Sequence, residues 1–263
     1  MSLMLYAAMG AATVPPASGP AFDPSAFIFT IRVENDGDSF TWPNRLGGVY
    51  DATFDWGDGS SDHVTAAPSA HVYAVAGDYD VAVTGACPAP ISDSGWRLML
   101  RDVKQWGALI GATDWDSAFS FCSQLQISAT DAFGAGVTIM SFMFTGSSVG
   151  AFDASNWDVS SVTTFEWMFE SAANANPDVS SWDTGSATNM RDMFNGASAF
   201  DRDISGWDVS SVTTVTSMLR DTPLFDYDLS GWCVQHIDAS RPPTFAEGSA
   251  LQSQHYPVWG TCP

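Results

Sequence analysis

From Asp114 to Trp232 the apolar positions repeat in phase every 25 residues. Trp157, Trp182, Trp207 and Trp232 keep that step, as do Met143, Met168, Met193 and Met218, and Phe119, Phe144, Phe169, Phe194 and Leu219. Within one unit, Trp207 and Val209 alternate with Asp208, the period of a short strand. Ser210 and Ser211 then offer an N-cap, and Val212, Val215, Met218 and Leu219 fall at i, i+3, i+6 and i+7. That spacing predicts a helix of about two turns with one apolar stripe. The stripe returns as Val137, Met140, Met143 and Phe144, as Val162, Phe165, Met168 and Phe169, and as Ala187, Met190, Met193 and Phe194. A fixed period of this length predicts a solenoid, in which a unit too small to bury its own apolar face stacks on copies of itself.

The pattern upstream is different. Phe27 to Val33 alternates, and turn signals follow at Asn35-Asp36-Gly37-Asp38. Thr53-Phe54-Asp55-Trp56 runs into Gly57-Asp58-Gly59-Ser60-Ser61-Asp62, which reads as strand, tight turn, strand. His71-Val72-Tyr73 and the alternating run Asp80-Val81-Ala82-Val83-Thr84-Gly85 complete a series of short strands, as in a small antiparallel sandwich. The predicted organisation is an N-terminal arm over 1–26, a β-sandwich over 27–86, a junction and N-terminal cap over 87–113, the 25-residue-repeat solenoid over 114–232, and a C-terminal cap over 233–263. The fold class is mainly β with short helices.

Charge narrows the functional classes. Nine Lys and Arg stand against 30 Asp and Glu, a net charge of -21. Such a field repels phosphate backbones and anionic surfaces, which argues against nucleic-acid binding. Nearly all the acid is aspartate, a turn and cap residue, as many short elements require. The first 22 residues carry no charged side chain, and their apolar run breaks at Gly10 and Pro15-Pro16, too short to insert in a membrane. They also lack the basic residues that open a secretory signal. Leu3, Leu5, Tyr6 and Met9 are the docking candidates on this arm. A strand or short helix folded back on its own domain is the alternative.

Asp55-Trp56-Gly57-Asp58-Gly59, His71-Val72-Tyr73 and Gly77-Asp78-Tyr79-Asp80-Val81 occur in the order found in the polycystic-kidney-disease (PKD) domain, which this segment resembles. The resemblance implies an immunoglobulin-like spacer or interaction module without catalytic residues. The unit Asp203-Ile204-Ser205-Gly206-Trp207-Asp208-Val209-Ser210-Ser211-Val212 resembles the BspA-type leucine-rich-repeat surface proteins in their tryptophan-aspartate form. That likeness covers roughly residues 95–263 and implies a leucine-rich-repeat-like β/α solenoid, surface display and adhesion. Units before Asp153 depart from it, Phe133 and its neighbours replacing the Trp-Asp pair. Proteins that join the two modules resemble structural proteins of tailed phages and marine bacterial surface proteins. The expected role is therefore a non-enzymatic virion component (tail, fibre or capsid surface) docked on other virion proteins through its arm. A host surface protein or glycan would be its target, and a bacterial cell-surface adhesin is the alternative. A homo-oligomer is compatible with the residues but not required by them.

The candidate chemistry is sparse. Asp153, Asp178, Asp203 and Asp228 form one column at the repeat period, and Asp158, Asp183 and Asp208 a second. Like charges in register repel across strands about 4.8 Å apart, so something must offset them. Hydrogen bonds to turn N–H groups or to the column Ser155, Ser180, Ser205 and Ser230 would do so. Calcium held between columns, with Asp153, Asp178, Asp203 and Asp228 as its candidate ligands, is the sharper alternative. The histidines His63, His71, His236 and His255 are scattered, and no catalytic residue is assigned. Cys233 opens the last segment and Cys262 nearly closes the chain, leaving a disulfide or two buried thiols as readings. Pairing of Cys87 with Cys122 is the weaker suggestion. Trp42, Trp96, Trp106, Trp115, Trp167 and Trp259 fall off the period, so outward-facing aromatics are sought among them, Trp167 first.

Overall fold

A computed structural model describes residues 23–45, 47–237 and 244–263. The proposed docking residues Leu3, Leu5, Tyr6 and Met9 lie outside that range. The architecture is mainly β with few helices. Strands β1 (Phe27–Val33), β3 (Asp51–Asp55), β4 (Ser61–Val64), β6 (Gly77–Ala86), β7 (Leu100–Gln105) and β8 (Gln126–Ile127) build one open mixed sheet. Its order is β4-β3-β6-β1-β7-β8. All pairings are antiparallel except that of β7 with β8. Strands β2 (Ser39–Phe40) and β5 (His71–Val72) form a separate antiparallel pair. The one α-helix among the described residues, α1 (Ser94–Met99), is opened by Asp93, whose carboxylate accepts the Trp96 N–H at 2.8 Å.

β1 is central, flanked by β6 and β7, and buried over Phe27–Ile31. Its rings meet Trp42 and Trp96, with Phe29 and Trp96 centroids 5.0 Å apart. The sheet takes β7 and β8 from beyond residue 86. Trp106 joins the sheet to the C-terminal half of the chain: its ring lies 6.2 Å from Phe27, 4.4 Å from Phe133 and 5.1 Å from Trp157. One buried cluster therefore runs from Phe27 to Leu251.

Beyond Trp106 the chain advances in rungs. Parallel bridges join Asp114 to Ile139, Ile139 to Thr164, Thr164 to Asn189 and Asn189 to Thr214, each one period on. Phe119, Phe144, Phe169 and Phe194 stack at 5.4, 5.3 and 5.5 Å, and Trp157, Trp182 and Trp207 at 5.9 and 6.0 Å. The indole N–H of Trp182, Trp207 and Trp232 donates back to the carbonyl of Ala154, Val179 and Ile204, so each tryptophan ties its rung to the one before.

The predicted helices are not there. Val212, Val215, Met218 and Leu219 do point inward, but no α-helix lies within residues 114–232. The backbone instead runs through successive turns. The N–H groups of Phe119, Phe144, Phe169, Phe194 and Leu219 donate to the carbonyls of Met143, Met168, Met193, Met218 and Phe245 in the next rung. Ser117, Phe142, Trp167, Asp192 and Ser217 have φ between 52° and 58°, which ends any right-handed helix. A two-turn helix is marginal alone, and the bonds between rungs outcompete it. The strand expected at Trp207–Val209 is also absent. Trp207 and Val209 are buried and Asp208 exposed as the alternation requires. Yet Trp207 N–H closes a turn on Ile204 and Asp208 holds the Ser210 N–H, so the segment is turn on both sides.

Both ends of the stack are satisfied. Carbonyls of the first rung accept from side chains and backbone of the preceding segment: Asp116 from Arg45, Ser117 from Ser92 N–H, and Ala118 from the Trp96 indole. At the far end Leu219 and Asp221 donate to Phe245 and Glu247. Cys233 and Cys262 are joined by a disulfide in this last segment. Cys87 and Cys122 are free, buried thiols, each pushed up to about 12 by burial.

Candidate interaction surface

The aspartate columns are absorbed by local turns. Asp153 accepts the Ser155 N–H (2.9 Å) and hydroxyl (2.6 Å), and Asp178 accepts both groups of Ser180. Asp203 and Asp228 accept the N–H of Ser205 and Ser230, each at 2.9 Å. The second column repeats the device, with Asp158 on Ser160, Asp183 on Gly185 and Asp208 on Ser210. Hydrogen bonds from the serine hydroxyl, then from the serine N–H, hold the carboxyls of Asp153, Asp208 and Asp228 below the usual range. The four calcium candidates thus each carry their own donors. Among the described residues no group of three or more His, Cys, Asp or Glu side chains is arranged to hold a metal ion.

His71 lies against Asp58 at 2.8 Å and stacks on Trp56 with centroids 4.7 Å apart. Tyr73 donates its hydroxyl to the Trp56 carbonyl. These motif residues bind one another. Burial opposes ionisation of Asp58, but hydrogen bonds from Ser60 and His71 outweigh it and hold the carboxyl low. His63 sits 3.3 Å from Asp51 and His255 3.0 Å from Asp226, both near the surface. His236 contacts Gln235.

Of the off-period tryptophans, Trp42, Trp96, Trp106 and Trp115 are buried, while Trp167 and Trp259 are half-buried. Trp167 is the informative one. It occupies the left-handed column that holds Ser117, Asp192 and Ser217 in other rungs, and Phe142 precedes it there. A bulky side chain is strained in this region, where Ser and Asp are cheaper. The turn therefore does not call for these two rings, and neither is fully buried. Their centroids lie 4.5 Å apart, and the Arg191 guanidinium stands 5.4 Å from the Trp167 ring.

Phe121 makes a third case, at φ 58° in a column that reads Gly146, Ser171, Gly196 and Asp221 in the following rungs. It is 53 % exposed. Its ring rests on Gly146, where a Cβ would come within 2.6 Å of it, and Arg97 covers it at 5.1 Å. Phe142 and Trp167 with Arg191, and Phe121 with Arg97, thus form two aromatic and arginine clusters, the composition of interface anchors. The sequence reading anticipated Trp167 but not the other two. Their signal was present as aromatics in slots that sister units fill with small residues. A threonine column was also missed: Thr138, Thr163, Thr188 and Thr213 each give N–H and hydroxyl to the threonine carbonyl one rung back.

Among the described residues no helix is long and apolar enough to cross a membrane. No curated protein and no solved structure matches the chain. The family described as "Mycoplasma protein of unknown function, DUF285" matches residues 113–259, more than half of the sequence and all the rungs after Thr113, and the chain belongs to that family.

Proposed function

We propose that the protein is a non-enzymatic structural and adhesive surface protein. In this reading an immunoglobulin-like, PKD-like sandwich carries a leucine-rich-repeat-like solenoid whose inside is all packing and whose outside makes contacts. The observation that carries it is the division of labour among repeated residues. The periodic Trp, Met and Phe side chains are buried, and the repeated carboxylates serve their own turns. Phe121, Phe142 and Trp167 stay at least partly exposed and are not required by the fold.

The carrier is a tailed-phage particle, with residues 1–26 docking on neighbouring virion proteins and the solenoid meeting a host surface protein or glycan. A bacterial cell-surface adhesin is the second reading, favoured by the family's description as a Mycoplasma protein. Antibody detection in purified particles and in cell-envelope fractions separates the two. The virion reading expects the chain on particles, and its recovery only in envelopes overturns that reading. Phe121→Ser, Phe142→Ser and Trp167→Ser together are expected to weaken attachment to host cells while the protein stays folded. Glycan hydrolysis that one Asp→Asn change abolishes would sink the non-enzymatic assignment.

A further inference from the structure

A cleft of about 930 Å³ opens where the sheet meets the first three rungs. One wall carries Arg32 of β1, Asp78 of β6, and Arg101 and Asp102 of β7. Gln126 of β8 lies beside Asp102 in the same sheet, and the rungs add Gln124 and Asn174, with apolar Ile127, Val149 and Phe152 completing the lining. We infer that this cleft binds a neutral oligosaccharide, its hydroxyls read by the amides of Gln124, Gln126 and Asn174. The inference rests on the attachment reading above and adds to it a ligand class and a second contact site, apart from Phe121, Phe142 and Trp167.

Three observations carry it. First, the charges of the cleft are engaged with one another. Arg32 pairs with Asp78 at 3.2 Å, and Arg101 pairs with Glu34 at 3.2 Å and donates to the Leu98 carbonyl. Asp102 accepts the N–H and hydroxyl of Ser128. A charged ligand would have to break these contacts, and the net charge of -21 further repels an anion. A neutral ligand need break none.

Second, the uncommitted polar groups are amides. Gln124, Gln126 and Asn174 are exposed, and no side-chain hydrogen bond ties any of them to the described residues around it. Each offers two donors and an acceptor in one plane, which suits adjacent hydroxyls on a sugar ring. The apolar lining suits the C–H face of the same ring, and the volume suits a few residues of glycan.

Third, the amides do not follow the repeat. The column of Gln124 continues as Val149, Asn174, Ala199 and Leu224, and that of Gln126 as Ala151, Asn176, Asp201 and Asp226. Both lose their amides in the last two rungs, beyond the cleft. Packing asks for none of them, since all three cleft amides are exposed.

The test is a panel of immobilised neutral tri- to hexasaccharides of glucose, galactose, mannose and N-acetylglucosamine, printed beside sulfated and sialylated counterparts. Any hit is followed by titration calorimetry of the full chain. The intact protein is expected to bind a neutral member. The combined variant Gln124→Ala, Gln126→Ala and Asn174→Ala is expected to lose about tenfold or more in affinity at unchanged Tm. Val258→Ser, an exposed position outside the cleft lining, is expected to leave that affinity alone. Undiminished binding by the triple variant, or preference for the anionic sugars, overturns the proposal. So does silence on every neutral glycan by a protein that still attaches to cells, in which case the attachment reading stands without it. A protein that neither attaches to cells nor is found on particles or envelopes removes the parent reading itself.

Discussion

The indoles of Trp182 and Trp167 meet opposite environments. Trp182 is 4 % exposed, stacks on both neighbouring tryptophans and donates to the Ala154 carbonyl. Truncating it leaves a cavity in the middle of the stack and removes one of the two donors to the Ala154 carbonyl, the Trp157 N–H remaining. Trp182→Ala should cost about 3–5 kcal/mol, read as a lower urea midpoint. Trp167→Ala should cost about 1 kcal/mol or less, because the lost ring contacts are partly exposed and the left-handed backbone tolerates the smaller side chain better. A second residue-scale effect concerns acid. The lowered carboxyls of Asp153, Asp208 and Asp228 stabilise the fold fully above 3.8, the ordinary aspartate value, and that contribution fades as pH falls below it. Ser155→Ala removes the hydroxyl that contributes most, so NMR titration should find Asp153 moved upward toward 3.8.

At the scale of elements, close backbone approach decides where substitution fails. Gly107 leaves β7 at φ +54°, and a Cβ there would meet the Ala26 carbonyl. Its N–H and that of Trp106 are held by the Asp131 carboxylate. Gly107→Ala should destabilise by more than about 1 kcal/mol in thermal unfolding, through clash and backbone conformation together. The strands β1, β3, β4 and β6 were legible because their alternation and turn glycines are local signals. The inward stripe of each rung was legible too, but not its backbone. Val212, Val215 and Met218 are spaced by three, and a chain of tight turns satisfies that spacing as well as a helix does. The deciding bonds, such as Phe194 N–H to Met218 C=O, join different rungs and leave no local mark. The left-handed placement of Phe121 and Phe142 was hidden for the same reason. The cleft was less legible still, since it unites Arg32 with Asn174.

For the whole molecule, the cap matters more than any one rung. The bond between Cys233 and Cys262 spans 29 residues of sequence. By chain entropy, reducing it should cost roughly 3–4 kcal/mol. Because rungs contact mainly their neighbours, the loss should appear first as faster amide exchange near Leu219 and Asp221. Thiol titration under native conditions should meanwhile leave Cys87 and Cys122 unreactive, both being buried.

The two seals on the stack, Arg45, Ser92 and Trp96 at one end and Phe245 and Glu247 at the other, share no residue with the rungs between them. Neither seal registers how many rungs it encloses. Excising residues 164–188 would join Thr163 to Asn189 in phase and should yield a cooperative protein with a smaller m-value, whereas excising half that length should not fold. The architecture thus behaves as an adjustable ruler, lengthened or shortened by whole genetic duplications. Each graduation moves one seal relative to the other by one strand spacing, roughly 4.8 Å.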